Sequence, residues 1–177
     1  MVRVSKRLSY VLRHQPGSIG VRLDDAGWTD VDALLMALAA HGLPLTRGDL
    51  EHVVVTNDKH RFTFDESGTR IRASQGHSHP VDLGYAPERP PPELFHGTVE
   101  RFLPAILAEG LQPGRRHAVH LSADAATARA VGGRRGRPVV LRIDTSAMAA
   151  DGYRFTRSAN GVWLVDAVPA RYLSRQR

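Results

Sequence analysis

Residues 77–93 read HSHPVDLGYAPERPPPE, and this stretch constrains the fold more than any other. A proline fixes its own φ and has no N–H to give, so four prolines within the last eleven residues of the stretch fit neither a helix interior nor a sheet ladder. The hydrophobic pattern changes across it. Before it, apolar residues recur every three or four positions, as Leu8, Val11 and Leu12, then Val31, Leu34, Leu35 and Leu38, then Leu50, Val53 and Val54. After it the apolar runs are short and separated by glycine-rich turns: ELFHGT, AVHLS, PVVLRID and GVWLVDAV. The pattern predicts an α+β chain with a linker at 79–93 between domains at 1–78 and 94–177.

Local signals fill in the two halves. Ser5, Thr29 and Thr46 are the expected starts of three helices, and Thr46 with Asp49 makes a capping-box pattern. RFTFDESGTRIRA alternates Phe62 and Phe64 with polar residues, turns at DESGT and returns through Ile71, which predicts a β-hairpin. Three helices followed by a hairpin suggest a winged-helix-like lobe. Beyond the prolines, one helix is expected after Val99 and another after Asp124, among strands of a mixed, mostly antiparallel sheet.

Composition narrows the chemistry. Cysteine is absent, which removes disulfides, thiolate nucleophiles and thiolate metal sites together. The formal charge is +6, and Lys6 and Lys59 are the only lysines among 24 basic residues. Arginine forks match two phosphate oxygens at once, so this balance favours a polyanionic partner. No window approaches the roughly 18 apolar residues of a membrane span, and MVRVSKRLSY lacks the features of a signal peptide. A soluble, cytoplasmic protein with no membrane partner is expected.

Four clusters join arginine or histidine to turn residues: LRH at 12–14, NDKHRF at 57–62, RASQGHS at 72–78 and RRHAVHLS at 115–122. Each has a plain structural explanation by itself; a cation at a helix C-terminus, for instance, suits the helix dipole. Together they supply the arginines to hold a phosphate dianion and an imidazole to move a proton. FHGT at 95–98 adds a histidine at a strand's end, a glycine that lets a ligand approach the backbone, and a hydroxyl for ribose or phosphate. VGGRRGRP has glycines but lacks the preceding strand and the Lys-Ser/Thr ending of a phosphate-binding loop. No metal site is expected, because the nine histidines show no H-E-x-x-H pattern.

In order along the chain, LSYVLRH, D-x-x-GW, NDKHRF, RASQGHS, LFHGT and RRHAVHLS resemble the motifs of the RNA 2′-phosphotransferases, which act on tRNA after splicing. The resemblance implies an N-terminal winged-helix lobe joined to a C-terminal lobe of the ADP-ribosyltransferase fold, with the active site in the cleft between them. It implies four catalytic residues, Arg13, His14, Arg61 and Arg116, the last with Arg115 as an adjacent alternative. It places the co-substrate NAD⁺ against His96, Gly97, Thr98, His120 and Ser122, and Gln75, His77 and Ser78 along the cleft, with no metal. Val162 stands where related ADP-ribosyltransferases often carry a glutamate.

The implied reaction is removal of an internal 2′-phosphate from RNA. The phosphate attacks C1″ of NAD⁺ and expels nicotinamide, and the ribose 2″-hydroxyl then attacks phosphorus, giving 2′-hydroxyl RNA and ADP-ribose 1″,2″-cyclic phosphate. Two other readings stay open on sequence. One is an ADP-ribosyltransferase modifying nucleic-acid ends or another phosphorylated acceptor; the other is a winged-helix DNA-binding regulator with a small-molecule sensing lobe.

Overall fold

The computed structural model describes residues 2–57 and 59–176. The chain divides into two compact units between Gly84 and Tyr85, inside the proline-rich stretch. Among the described residues the strands form three three-stranded sheets, every pairing antiparallel, so the chain is α+β with small antiparallel sheets rather than a mixed one. No helix among the described residues is long and apolar enough to cross a membrane.

The first unit runs α1 (Val2–Arg13), β1 (Thr29–Asp30), α2 (Val31–Ala40), α3 (Arg47–Val55), β2 (Phe62–Phe64) and β3 (Arg70–Ala73). Leu8, Val11 and Leu12 of α1 pack with Leu34 and Leu38 of α2, Leu50 and Val53 of α3, and Phe62, Ile71 and Ala73 of the hairpin. Full burial of each large side chain there contributes about 1.5–3 kcal/mol. The hairpin pairs Phe62 with Ala73 and Phe64 with Ile71, as its alternation predicts. The capping box is present as read: Asp49 N–H donates to Thr46 Oγ1, and Thr46 N–H to Asp49 Oδ2.

Two expected caps are displaced. Helix α1 already begins at Val2, so Ser5 lies inside it, where its hydroxyl accepts from Asn57. Thr29 pairs with Ile71 in β1, and the cap of α2 is Asp30, whose carboxylate accepts from Ala33 N–H. In both places a long-range partner takes the residue that the local pattern had assigned to a cap.

The second unit runs β4 (Glu93–Val99), α4 (Leu103–Glu109), β5 (Val119–Leu121), α5 (Ala125–Gly132), β6 (Pro138–Asp144), α6 (Thr145–Ala150), β7 (Thr156–Arg157), β8 (Trp163–Val165) and β9 (Leu173–Arg175). One sheet has the order β4-β6-β9 and the other β5-β8-β7. Phe95 and Ser122 join them, exchanging backbone bonds of 2.9 and 2.8 Å. A common core backs both sheets, built from Leu94, Leu141, Ile143, Leu121, Trp163, Val165 and Phe155 among others.

Helix α5, capped by Asp124, lies directly on β4. A Cβ at Gly97 would fall 1.7 Å from the carbonyl oxygen of Ala128 and 2.8 Å from the nitrogen of Gly132. Strand and helix backbones therefore touch, and only glycine fits. Gly97 is also the glycine that the sequence offered to a ligand; the side on which a side chain would stand is filled by the helix.

Candidate functional site

In the first unit Arg13 and His14 leave the end of α1, which Pro16 prevents from continuing. Ser78 fastens to this end. Its N–H donates to the Arg13 carbonyl at 2.9 Å, and its Oγ lies 3.2 Å from His14 Nδ1. Arg61 stands just before β2, and its Nη1 donates to Asn57 Oδ1 at 3.2 Å. Asn57 is buried and donates from Nδ2 to Ser5 Oγ at 3.0 Å. Through these bonds the loop after α3 holds Arg61 against α1.

A pocket of about 560 Å³ results, with Ser5, Tyr10, His14, Asn57, Lys59 and Arg61 in its lining. His14 and Arg61, far apart in sequence, share it. Arg13 is half-buried beside His14 and does not line it. Ser5 was read from sequence only as a cap, Asn57 and Lys59 only as members of the NDKHRF cluster, and Tyr10 not as a site residue; on α1 the available signal was the spacing of Val2, Ser5 and Ser9 by three and four residues.

The remaining residues of RASQGHS fare differently. Ser78 is exposed and Gln75 half-buried. His77 is fully buried, its ring against Gly27. Its ring lies 5.5 Å from that of His79 in an edge-to-face contact. Among the described residues no group of three or more histidines and carboxylates is placed to hold a metal ion.

In the second unit the bridge between Phe95 and Ser122 sets β4 beside β5 and brings His96 to His120. His96 donates from Nδ1 to the His120 carbonyl at 3.1 Å. Burial pushes the His96 pKa below the usual imidazole value; the bond to His120 opposes this, and the charges of Arg116 and Arg135 add to it. The ring is therefore neutral at pH 7 with its hydrogen on Nδ1, and Nε2 is an acceptor.

Arg116 donates from Nη1 to His120 Nδ1. A guanidinium has no lone pair to offer, so His120 Nδ1 accepts and the ring hydrogen is on Nε2. Burial, with the charge of Arg135, lowers the pKa of Arg116 from the ordinary guanidinium value. Arg115 makes no such bond to β5, so of the two adjacent arginines Arg116 is the one built into this cluster. Arg135, from the VGGRRGRP loop, is a member that sequence reading missed. Thr98 is buried, and Ser122 spends its backbone on Phe95.

Two cationic clusters, one in each unit, thus combine arginine with histidine. The profile of the RNA 2′-phosphotransferase, Tpt1/KptA family matches residues 1–167, and the chain belongs to that family. A probable RNA 2′-phosphotransferase of Streptomyces coelicolor is 60% identical over 172 residues, covering 97% of this chain and 93% of the relative. One of Agrobacterium fabrum is 60% identical over 170 residues, 96% of this chain and 91% of the relative. One of Burkholderia pseudomallei is 54% identical over 171 residues, 97% and 93% respectively.

Proposed function

We propose that the chain is an NAD⁺-dependent RNA 2′-phosphotransferase of the tRNA type, with a winged-helix-like first lobe that handles the RNA phosphate and an ADP-ribosyltransferase-like second lobe that handles NAD⁺. The observation that carries this reading is the pocket shared by His14 and Arg61, whose guanidinium is oriented by Asn57. The donor set of the second unit fits a dinucleotide. Neutral His96 offers Nε2 to a ribose hydroxyl, and Arg116 and Arg135 supply positive charge for phosphates.

A phosphomonoester's second pKa is about 6, so a 2′-phosphate is a dianion and a competent nucleophile at neutral pH. It attacks C1″ of NAD⁺ and nicotinamide leaves. The ribose 2″-hydroxyl then attacks phosphorus, and the RNA 2′-oxygen leaves and takes up a proton. The products are 2′-hydroxyl RNA and ADP-ribose 1″,2″-cyclic phosphate. Arg61, with Arg13 at the end of α1, neutralises the phosphate and the charge that builds on its equatorial oxygens. His14 hydrogen-bonds or moves a proton in the second step, steadied by Ser78.

The reading also accounts for Val162, which sits at the turn into β8 with its N–H bonded to Ser158 Oγ. An acceptor that is already anionic needs no carboxylate to deprotonate it. The test is incubation with NAD⁺ and a short RNA carrying one internal 2′-phosphate, followed by mass analysis of both products. Loss of the phosphate with appearance of the cyclic phosphate is expected. Accumulation of ADP-ribosylated RNA would make the protein an ADP-ribosyltransferase of phosphorylated acceptors, and absence of nicotinamide release would overturn the enzymatic reading.

A further inference from the structure

The VGGRRGRP loop, which is no phosphate-binding loop by motif, borders a second cavity in the second unit. About 600 Å³ in volume, it is lined by Glu100, Arg129, Arg137, Val140, Arg175 and Gln176, among others. Arg129 comes from α5, Arg137 precedes β6 and Arg175 ends β9, so three separate elements turn a guanidinium toward one hollow. Glu100 pairs with Arg175 through two bonds of 3.1 and 3.0 Å, which fixes that fork. Among the described residues Arg129 and Arg137 have no carboxylate within ion-pair distance, and both are exposed.

Three guanidiniums around a hollow with one carboxylate, Glu100, leave two positive charges unmatched; these repel one another, and an anion placed between them relieves that repulsion. The same loop reaches toward the first cationic cluster of this unit. Arg135 stands two residues before Arg137 and acts electrostatically on both His96 and Arg116. The loop thus carries one arginine that acts on the His96–Arg116 cluster, Arg135, and, two residues on, another that lines the pocket, Arg137. A single phosphate would be served by one cluster, whereas an arrangement of this kind suits a ligand with phosphates at regular intervals.

We propose that the pocket of Arg129, Arg137 and Arg175 is a second RNA site, which holds a backbone phosphodiester of the strand whose 2′-phosphate is being removed. This rests on the RNA reading above. It assigns these arginines to sequence-independent affinity, and it makes RNA length beyond the reacting nucleotide a determinant of binding.

The test compares the full chain with its Arg129→Gln/Arg137→Gln variant, titrated over a range of salt. The probes are a trinucleotide and a single strand of about fifteen nucleotides, the latter with and without an internal 2′-phosphate. Each phosphate contact on a single strand contributes about 0.7 to the slope of log K against log salt, so loss of two flattens the slope for the long RNA by about 1.4. Its affinity is expected to fall about tenfold at low salt, and its advantage over the trinucleotide to shrink in proportion. Arg129→Lys/Arg137→Lys keeps the charge and is expected to keep the slope.

An unchanged slope and an unchanged long-to-short ratio in the glutamine variant would overturn the proposal. So would a rise in the KM for NAD⁺ of equal size with both RNA lengths, since the pocket would then hold the dinucleotide. The strand without a 2′-phosphate reads the pocket independently of turnover. Nicotinamide release by the unaltered protein reads the underlying reaction, so failure of one is distinguishable from failure of the other.

Discussion

His96 donates from Nδ1 to the backbone carbonyl of His120, 3.1 Å away, and so ties the first strand of one sheet to the first strand of the other. Because the folded state holds this imidazole below its ordinary pKa, protonation opposes folding. The unfolded chain binds the proton at about pH 6.5 and the folded chain does not, so this residue leaves stability flat above that pH and lowers it as pH falls below. Urea midpoints between pH 5 and 8 are expected to show this decline, and His96→Asn, whose amide still donates to the carbonyl, is expected to flatten it. An equal decline in both proteins would show that the titrating group is elsewhere.

Asn57 orients Arg61 and satisfies Ser5 from a buried position. Asn57→Ala leaves Ser5 and Arg61 without this partner and is expected to cost about 1–3 kcal/mol of stability. It also frees the guanidinium, so the rate of phosphate transfer in a single turnover should drop further than the stability loss explains. Asn57→Asp retains the acceptor oxygen and is expected to recover most of the rate.

The fork of Arg13 cannot be reproduced by lysine. Removal of one charged donor from a transferring phosphate costs about 3 kcal/mol, or about a hundredfold in rate. Single-turnover dephosphorylation by Arg13→Lys should fall on that order, with thermal stability little changed. Wild-type rates in this variant would remove Arg13 from the phosphate clamp. Ser78→Ala, which keeps the backbone bond to Arg13 but loses the hydroxyl beside His14, should lower the rate less, by several-fold.

Gly97→Ala puts a methyl into the backbone of α5 and is expected to destabilise the protein by about 3 kcal/mol or more. Gly133→Ala, where a Cβ meets nothing within 4 Å, should change stability by no more than about 0.5 kcal/mol. Thermal unfolding of the two variants side by side checks the contrast.

What could be read from the sequence was what depends on near neighbours. The Thr46–Asp49 box closes within one turn, the Phe62 to Ile71 hairpin follows from alternation and a turn, and Asp124 caps the helix that follows it. Ser5 and Thr29 were misread because Asn57 and Ile71, distant in the chain, claim them. His77 looked like a site residue by its motif, yet a tight turn at Gly27 gives it a buried seat. Gly97 was read as a place for a ligand to approach the backbone; that α5 packs on it as well depends on where that helix lies, which no local pattern gives. Helix α6 and strands β7 and β9 carry too few residues for periodicity to announce them.

Among the described residues, the backbone hydrogen bonds between the two sheets of the second unit belong to one pair, Phe95 and Ser122. A ladder of such bonds resists shear and rotation together; one pair is a pivot. His96 and His120 flank it on either strand, so the bond between their imidazole and carbonyl is the side-chain brace that stands beside that pivot.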